Sequence, residues 1–86
     1  MSEFKKYKRS QIAEIREVTQ EDIKQYAEKN YISAFGWQYP VSISSADKEL
    51  GSPKIGDMIG RNPKKHHDQW LIAEQYFKDN FEEHIN

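Results

Sequence analysis

Two hydrophobic periods share this chain, and its elements begin where one gives way to the other. From Gln11 to Val18, Ala13 and Ile15 alternate with Glu14 and Arg16, the two-residue period of a half-buried strand. Ile12, Ile15, Thr19, Ile23 and Tyr26 also fit helical spacing, so one long helix over residues 10–29 is the competing reading. A break at Thr19 is favoured. Thr19-Gln20-Glu21-Asp22 resembles a capping box, with acidic groups in the first turn to suit the helix dipole. The predicted helix runs from Gln20 to Lys29 with Ile23, Tyr26 and Ala27 facing inward, and Asn30 ends it by tolerating a left-handed backbone.

The two-residue period then returns. Tyr31–Phe35 reads as a strand, Gly36 allows a turn, and Val41–Ser44 reads as a second strand with Val41 and Ile43 on its buried face. Ser44 or Ser45 caps a short helical turn from Ala46 to Leu50, which Gly51 closes. Gly56–Gly60 is a glycine-bracketed strand, Asn62-Pro63 begins a turn, and Trp70–Ala73 is a short apolar strand. After Glu74, the residues Tyr76, Phe77 and Phe81 are spaced for one helical face. The expectation is an α+β fold: a small antiparallel sheet of about four strands with two helices packed on one face. Residues 1–86 form one domain, with 1–9 a solvated basic arm and 82–86 a frayed acidic tail. Phe4 and Tyr7 give the arm a second option, to pack down as an edge strand.

Composition narrows the function classes. The chain has 86 residues, of which 36% are hydrophobic and 13% aromatic, so its aromatics must supply much of a thin core. Charged residues make up 31%, yet the net charge is -1, which argues against a strongly acidic DNA mimic and against nucleic-acid binding driven by bulk charge. There are no cysteines, so disulfides and thiolate zinc sites are excluded and a reducing compartment fits. No apolar run approaches the ~20 residues of a membrane span, and no apolar segment of signal-peptide type follows the basic N-terminus. The expected location is the cytoplasm, with no membrane partner.

Candidate chemistry concentrates between Gly51 and Asp68, a polar, turn-rich stretch held between apolar segments. Arg61, Asn62, Lys64 and Lys65 could cradle a nucleotide or other small anion, because arginine forks match phosphate oxygens and lysines add point charge. The stretch lacks Walker spacing and a GxGxxG run. Lys64-Lys65-His66-His67-Asp68 carries too few ligands in register for a metal site, and a hydrated turn before Trp70 is the simpler reading, so no metal or cofactor is expected. Asp57, beside a glycine turn, is read as structural. Trp37 and Tyr39 lie between Gly36 and Pro40, either covering one end of the core or standing out as a contact point for a partner. No serine pairs with a histidine in a recognisable nucleophile arrangement, so catalysis is not expected. The partner-binding surface is assigned to Trp37, Tyr39, Lys54, Arg61, Asn62, Lys64 and His66, with anion sequestration through residues 61–66, as an oligomer, as the alternative. A third reading places nucleic acid on Lys5, Lys6, Lys8, Arg9 and the aromatic loop.

Three runs together resemble a family of small phage-encoded accessory proteins related to the PGDYG-like phage proteins. They are the basic opening KKYKRSQIAEIREVT, the glycine-aspartate strand GSPKIGDMI and the ending QWLIAEQYFKDNFE, which cover roughly half the chain. Ile55-Gly56-Asp57-Met58-Ile59 stands at the place of the proline-glycine-aspartate-tyrosine-glycine run, with Met58 where those proteins have tyrosine. The resemblance implies an origin and a rough fold, not a mechanism. It points to a phage or prophage accessory protein in the bacterial cytoplasm that binds a host protein, such as a defence or nucleic-acid-processing factor, and inhibits it.

Overall fold

The computed structural model describes residues 3–8, 12–80 and 82–83. In chain order the elements are β1 (Lys5–Lys8), β2 (Ile12–Glu17), α1 (Gln20–Lys29), α2 (Ser45–Glu49), β3 (Met58–Asn62), β4 (Lys65–Ile72), α3 (Glu74–Asn80) and β5 (Glu82–Glu83). The fold is α+β. One antiparallel sheet has the order β4-β3-β2-β1-β5, and its bulk is the run β2, β3 and β4.

The switch at Thr19 is local chemistry. Thr19 has an extended backbone, its hydroxyl accepts the Asp22 N–H, and the Asp22 carboxylate accepts the Thr19 N–H at 2.8 Å. A cap of this kind contributes about 1 kcal/mol. Asp22 also holds Arg16 by two bonds, at 2.6 and 3.0 Å, so the end of β2 and the start of α1 are tied by one carboxylate. Asn30 closes the helix at φ 65, its N–H donating to Tyr26 O. Ile23 and Tyr26 pack inward, whereas Ala27 is exposed and Asp22 takes a buried place.

The strand period separates two apolar clusters by sheet face. Ile59 and Leu71 are paired across β3 and β4 and lie with Val18, Ile32 and Val41 under α1. Ala13, Ile15 and Ile72 form the other cluster, joined by Met58, Trp70 and Phe77 of α3. Helices α1 and α3 therefore pack on opposite faces, which corrects the expectation of both on one face. The row Ile15, Gly60 and Trp70 shows why β3 carries a glycine there: a Cβ on Gly60 would lie 2.8 Å from the Trp70 indole nitrogen, so the missing side chain makes room for the ring.

The strands expected at Tyr31–Phe35 and Val41–Ser44 do not form. Val41 N donates to Ile32 O, and Ser42 makes a single bridge to Trp70 on the edge of β4. The backbone of Ser33 is satisfied by a side chain instead: Gln25 of α1 takes both its N–H and its C=O, at 3.2 Å each. Beyond Ser42 the chain turns into α2, with Ser44 as its cap. The basic arm is likewise a strand, since β1 pairs with the open edge of β2 from Lys5↔Ile15 to Lys8↔Ile12. Glu82 and Glu83, expected to fray, pair with β1, and residues 84–86 lie outside the described set. The hydrated turn expected before Trp70 is the first half of β4, because the turn at Pro63 and Lys64 folds the chain back on β3 as a hairpin, with a register shift between Arg61 and Asn62. Tyr76 is 41% exposed rather than inward, and Phe81 lies outside the described residues.

Candidate functional site

The Asp57 carboxylate closes one end of β3. Its Oδ2 accepts from the Ser52 hydroxyl at 2.7 Å and from Lys54 N at 3.0 Å, and its Oδ1 accepts from Lys54 Nζ at 2.9 Å and from Glu74 N at 3.0 Å. Burial alone is the largest single influence on this group and would raise its pKa; the donors from Ser52, Lys54 and Glu74 together outweigh it and hold the carboxyl below its ordinary value. Gly56, at φ +104, lets the chain pass beneath Glu74, whose carboxyl carbon would sit 2.8 Å from an added Cβ. Every acceptor face of Asp57 is engaged in holding the loop from Ser52 to Lys54 against α3. This is a structural knot, and Lys54 is part of it.

The other predicted partner-binding residues gather at the opposite end of the sheet. At roughly 3.3 Å per residue, β3 puts its Asn62 end some 15 Å from Asp57. There, Ser33 is the pin of a protruding loop: its hydroxyl donates to Tyr39 O at 2.6 Å and accepts from Phe35 N at 2.9 Å, while Gln25 grips its backbone. Tyr39 N donates to Gly36 O at 3.2 Å, and Gly36 adopts φ +85 to turn the chain. The loop stands out between these ties, with Phe35 at 50%, Trp37 at 72% and Tyr39 at 43% exposure. Trp37 and Tyr39 thus do not cover the core. They present aromatic area from a base whose backbone groups are satisfied.

His67 joins this loop to the β3–β4 hairpin. Its ring lies 4.5 Å from the Tyr39 ring and 6.4 Å, edge-on, from Phe35. Asn62 Oδ1 accepts from Lys64 N at 2.9 Å, which fixes the turn that carries Lys64 and Lys65. Both lysines are exposed. Arg61 is committed elsewhere: its Nε donates to Glu14 Oε1 at 2.8 Å, and its guanidinium carbon lies 3.9 Å from the centroid of the Phe4 ring. His66 Nε2 approaches the same Glu14 oxygen at 3.4 Å. Arg61 and Asn62 therefore brace the hairpin, so the phosphate cradle expected from residues 61–65 is left with its two lysines as outward cations.

Through the Tyr39–His67 contact the geometry sets the loop of Trp37 and Tyr39 beside the hairpin that carries Lys64, Lys65 and His66, and it leaves Lys54 apart. It adds Phe35 and His67, which sequence reasoning missed. The regular spacing of Phe35, Trp37 and Tyr39 about Gly36 was a visible signal for the first; the second was read only as part of a hydrated turn over Lys64–Asp68. Glu14 and Phe4, the partners of Arg61, carried no such signal either. Of the basic residues expected to meet nucleic acid, Lys5, Lys6 and Lys8 lie in β1, and Arg9 lies outside the described residues. Among the described residues no group of three or more His, Cys, Asp or Glu side chains is placed to hold a metal ion, and no helix is long and apolar enough to cross a membrane. No family model matches the chain, and no curated protein or solved structure matches it.

Proposed function

We propose that this chain is a non-catalytic accessory protein that binds another protein through its aromatic loop and the neighbouring hairpin. The observation that carries this reading is Trp37, 72% exposed on a loop that Ser33 and Gln25 fix at its base. A large, exposed aromatic on a pre-ordered support loses little entropy on docking, and tryptophan and tyrosine dominate the energy of many interfaces. Tyr39, braced on His67, supplies a second such side chain beside it. The resemblance to small phage-encoded proteins makes a protein of the bacterial host cytoplasm the natural partner, and inhibition of that protein the natural outcome.

The test is affinity capture from bacterial lysate with the wild-type chain and with Trp37→Ala in parallel. A protein retained in stoichiometric amount by the first and lost by the second supports the reading, provided both chains melt at the same temperature. Equal retention by the two chains removes Trp37 from the interface and overturns it.

A further inference from the structure

We infer that the partner meets this surface with an acidic segment, its carboxylates on Lys64 and Lys65 and its apolar side chains on Trp37. This rests on the protein-binding reading above and adds the chemistry of the partner.

The position of two adjacent cations beside the aromatic loop is what carries it. Arg16, Lys54, Arg61 and Lys78 each have a carboxylate of this chain within 4.0 Å, whereas exposed Lys5, Lys24, Lys29 and Lys48, like Lys64 and Lys65, make no such ion pair among the described residues. Lys64 and Lys65 are adjacent and exposed. They are also held in place, because Asn62 Oδ1 fixes the backbone at Lys64 and the Arg61–Glu14 pair braces the strand behind it. His67, two residues further along β4, touches the Tyr39 and Phe35 rings, so positive charge and aromatic area lie at one end of the sheet. A nucleic acid fits less well. Single strands need a groove of continuous positive charge. Here Glu14 sits 3.4 Å from His66 and Asp68 follows His67, on a chain of net charge -1. Two adjacent lysines with carboxylates bounding them suit a short acidic segment of a protein better than a continuous polyanion.

The experiment is fluorescence anisotropy with three labelled probes: a short peptide alternating glutamate and leucine, the same peptide with lysine for glutamate, and an oligothymidylate of similar length. The full chain is titrated as wild type, as Lys64→Glu/Lys65→Glu and as Trp37→Ala. The glutamate peptide is expected to bind more tightly than either other probe, and the double charge reversal is expected to weaken it by about tenfold or more, with the loss shrinking as salt is added. Tighter binding of the oligothymidylate, equal binding of the two peptides, or a glutamate-peptide affinity untouched by the charge reversal overturns the proposal. Lysate capture with the charge-reversed chain separates the two readings. A protein that depends on Trp37 but is retained despite the reversal leaves protein binding standing and removes the acidic segment.

Discussion

The Asp57 carboxylate accepts the backbone N–H of Glu74, seventeen residues further along the chain, at 3.0 Å. It thereby satisfies the first turn of α3 from outside that helix, in the way a capping side chain does from within. Both of its oxygens face donors only. An amide in its place would set an N–H₂ group against another donor in either orientation. Asp57→Asn is therefore expected to cost about 3 kcal/mol, despite being isosteric, because buried donors lose their acceptor and Lys54 loses its counter-charge. For a domain of this size that lowers the melting temperature on the order of 15 °C. Thermal unfolding followed by circular dichroism measures it. A loss below about 1 kcal/mol shows that the knot does not hold α3.

Acid should act through the same group and through Asp22. For Asp22 too, burial is the largest single influence and pushes upward; the bonds from Arg16 and Thr19 outweigh it, so both carboxyls lie below their ordinary 3.8 when folded. A depressed folded pKa means that the unfolded chain binds the proton first. The stabilisation is present above 3.8 and is lost as pH falls through that value and on through the lower folded pKa. Urea unfolding from about pH 5 to about pH 2 should show a falling midpoint. The Asp22→Asn and Asp57→Asn variants should each flatten that fall, and unaltered slopes in both would assign acid sensitivity to other groups.

Gly60→Ala tests the packing of the sheet. The new methyl would meet Trp70 Nε1 at 2.8 Å and Ile72 Cδ1 at 3.1 Å, so the indole must lift from β3. The expected cost is about 2 kcal/mol from overpacking. In a Trp37→Phe background the emission reports Trp70 alone and should shift to the red as the ring gains water. Unchanged emission and stability would mean that the ring has room to slide.

Trp37→Ala should separate binding from folding. With 72% of Trp37 exposed, its removal is expected to change stability by no more than about 0.5 kcal/mol. The same change should abolish partner capture. Destabilisation beyond about 1 kcal/mol would show that the ring packs on the fold and that its exposure does not mark a contact.

What could be read from the sequence follows how local each cause is. Helix α1 was legible to its ends because Thr19, Asp22 and Asn30 do their work within one turn of the residues they cap. The strand expected at Tyr31–Phe35 failed because its backbone is answered by Gln25, a side chain eight residues earlier, which no two-residue period records. Strand β1 was legible only as the arm's second option, through Phe4 and Tyr7, for the opposite reason. Lys5–Lys8 has little apolar alternation of its own, and it forms because β2 offers an edge. At the candidate site, Gly36 and Pro40 flagged Trp37 and Tyr39 as loop residues. Arg61 misled, since its counter-ion Glu14 is forty-seven residues away and only pairing of β2 with β3 brings it near.

The ties of the aromatic loop are worth following one step further. Gln25 and Ser33 secure its two ends through main-chain atoms, and the side chains of Phe35 and Trp37 project into solvent. The scaffold thus asks for a serine and a glutamine at the base and a glycine at the turn, and imposes little on the identity of the exposed side chains at Phe35 and Trp37. Such a loop can change its sequence without paying in stability, so this small sheet is a frame on which a different recognition surface could be installed by a handful of substitutions, under whatever selection a changing partner applies.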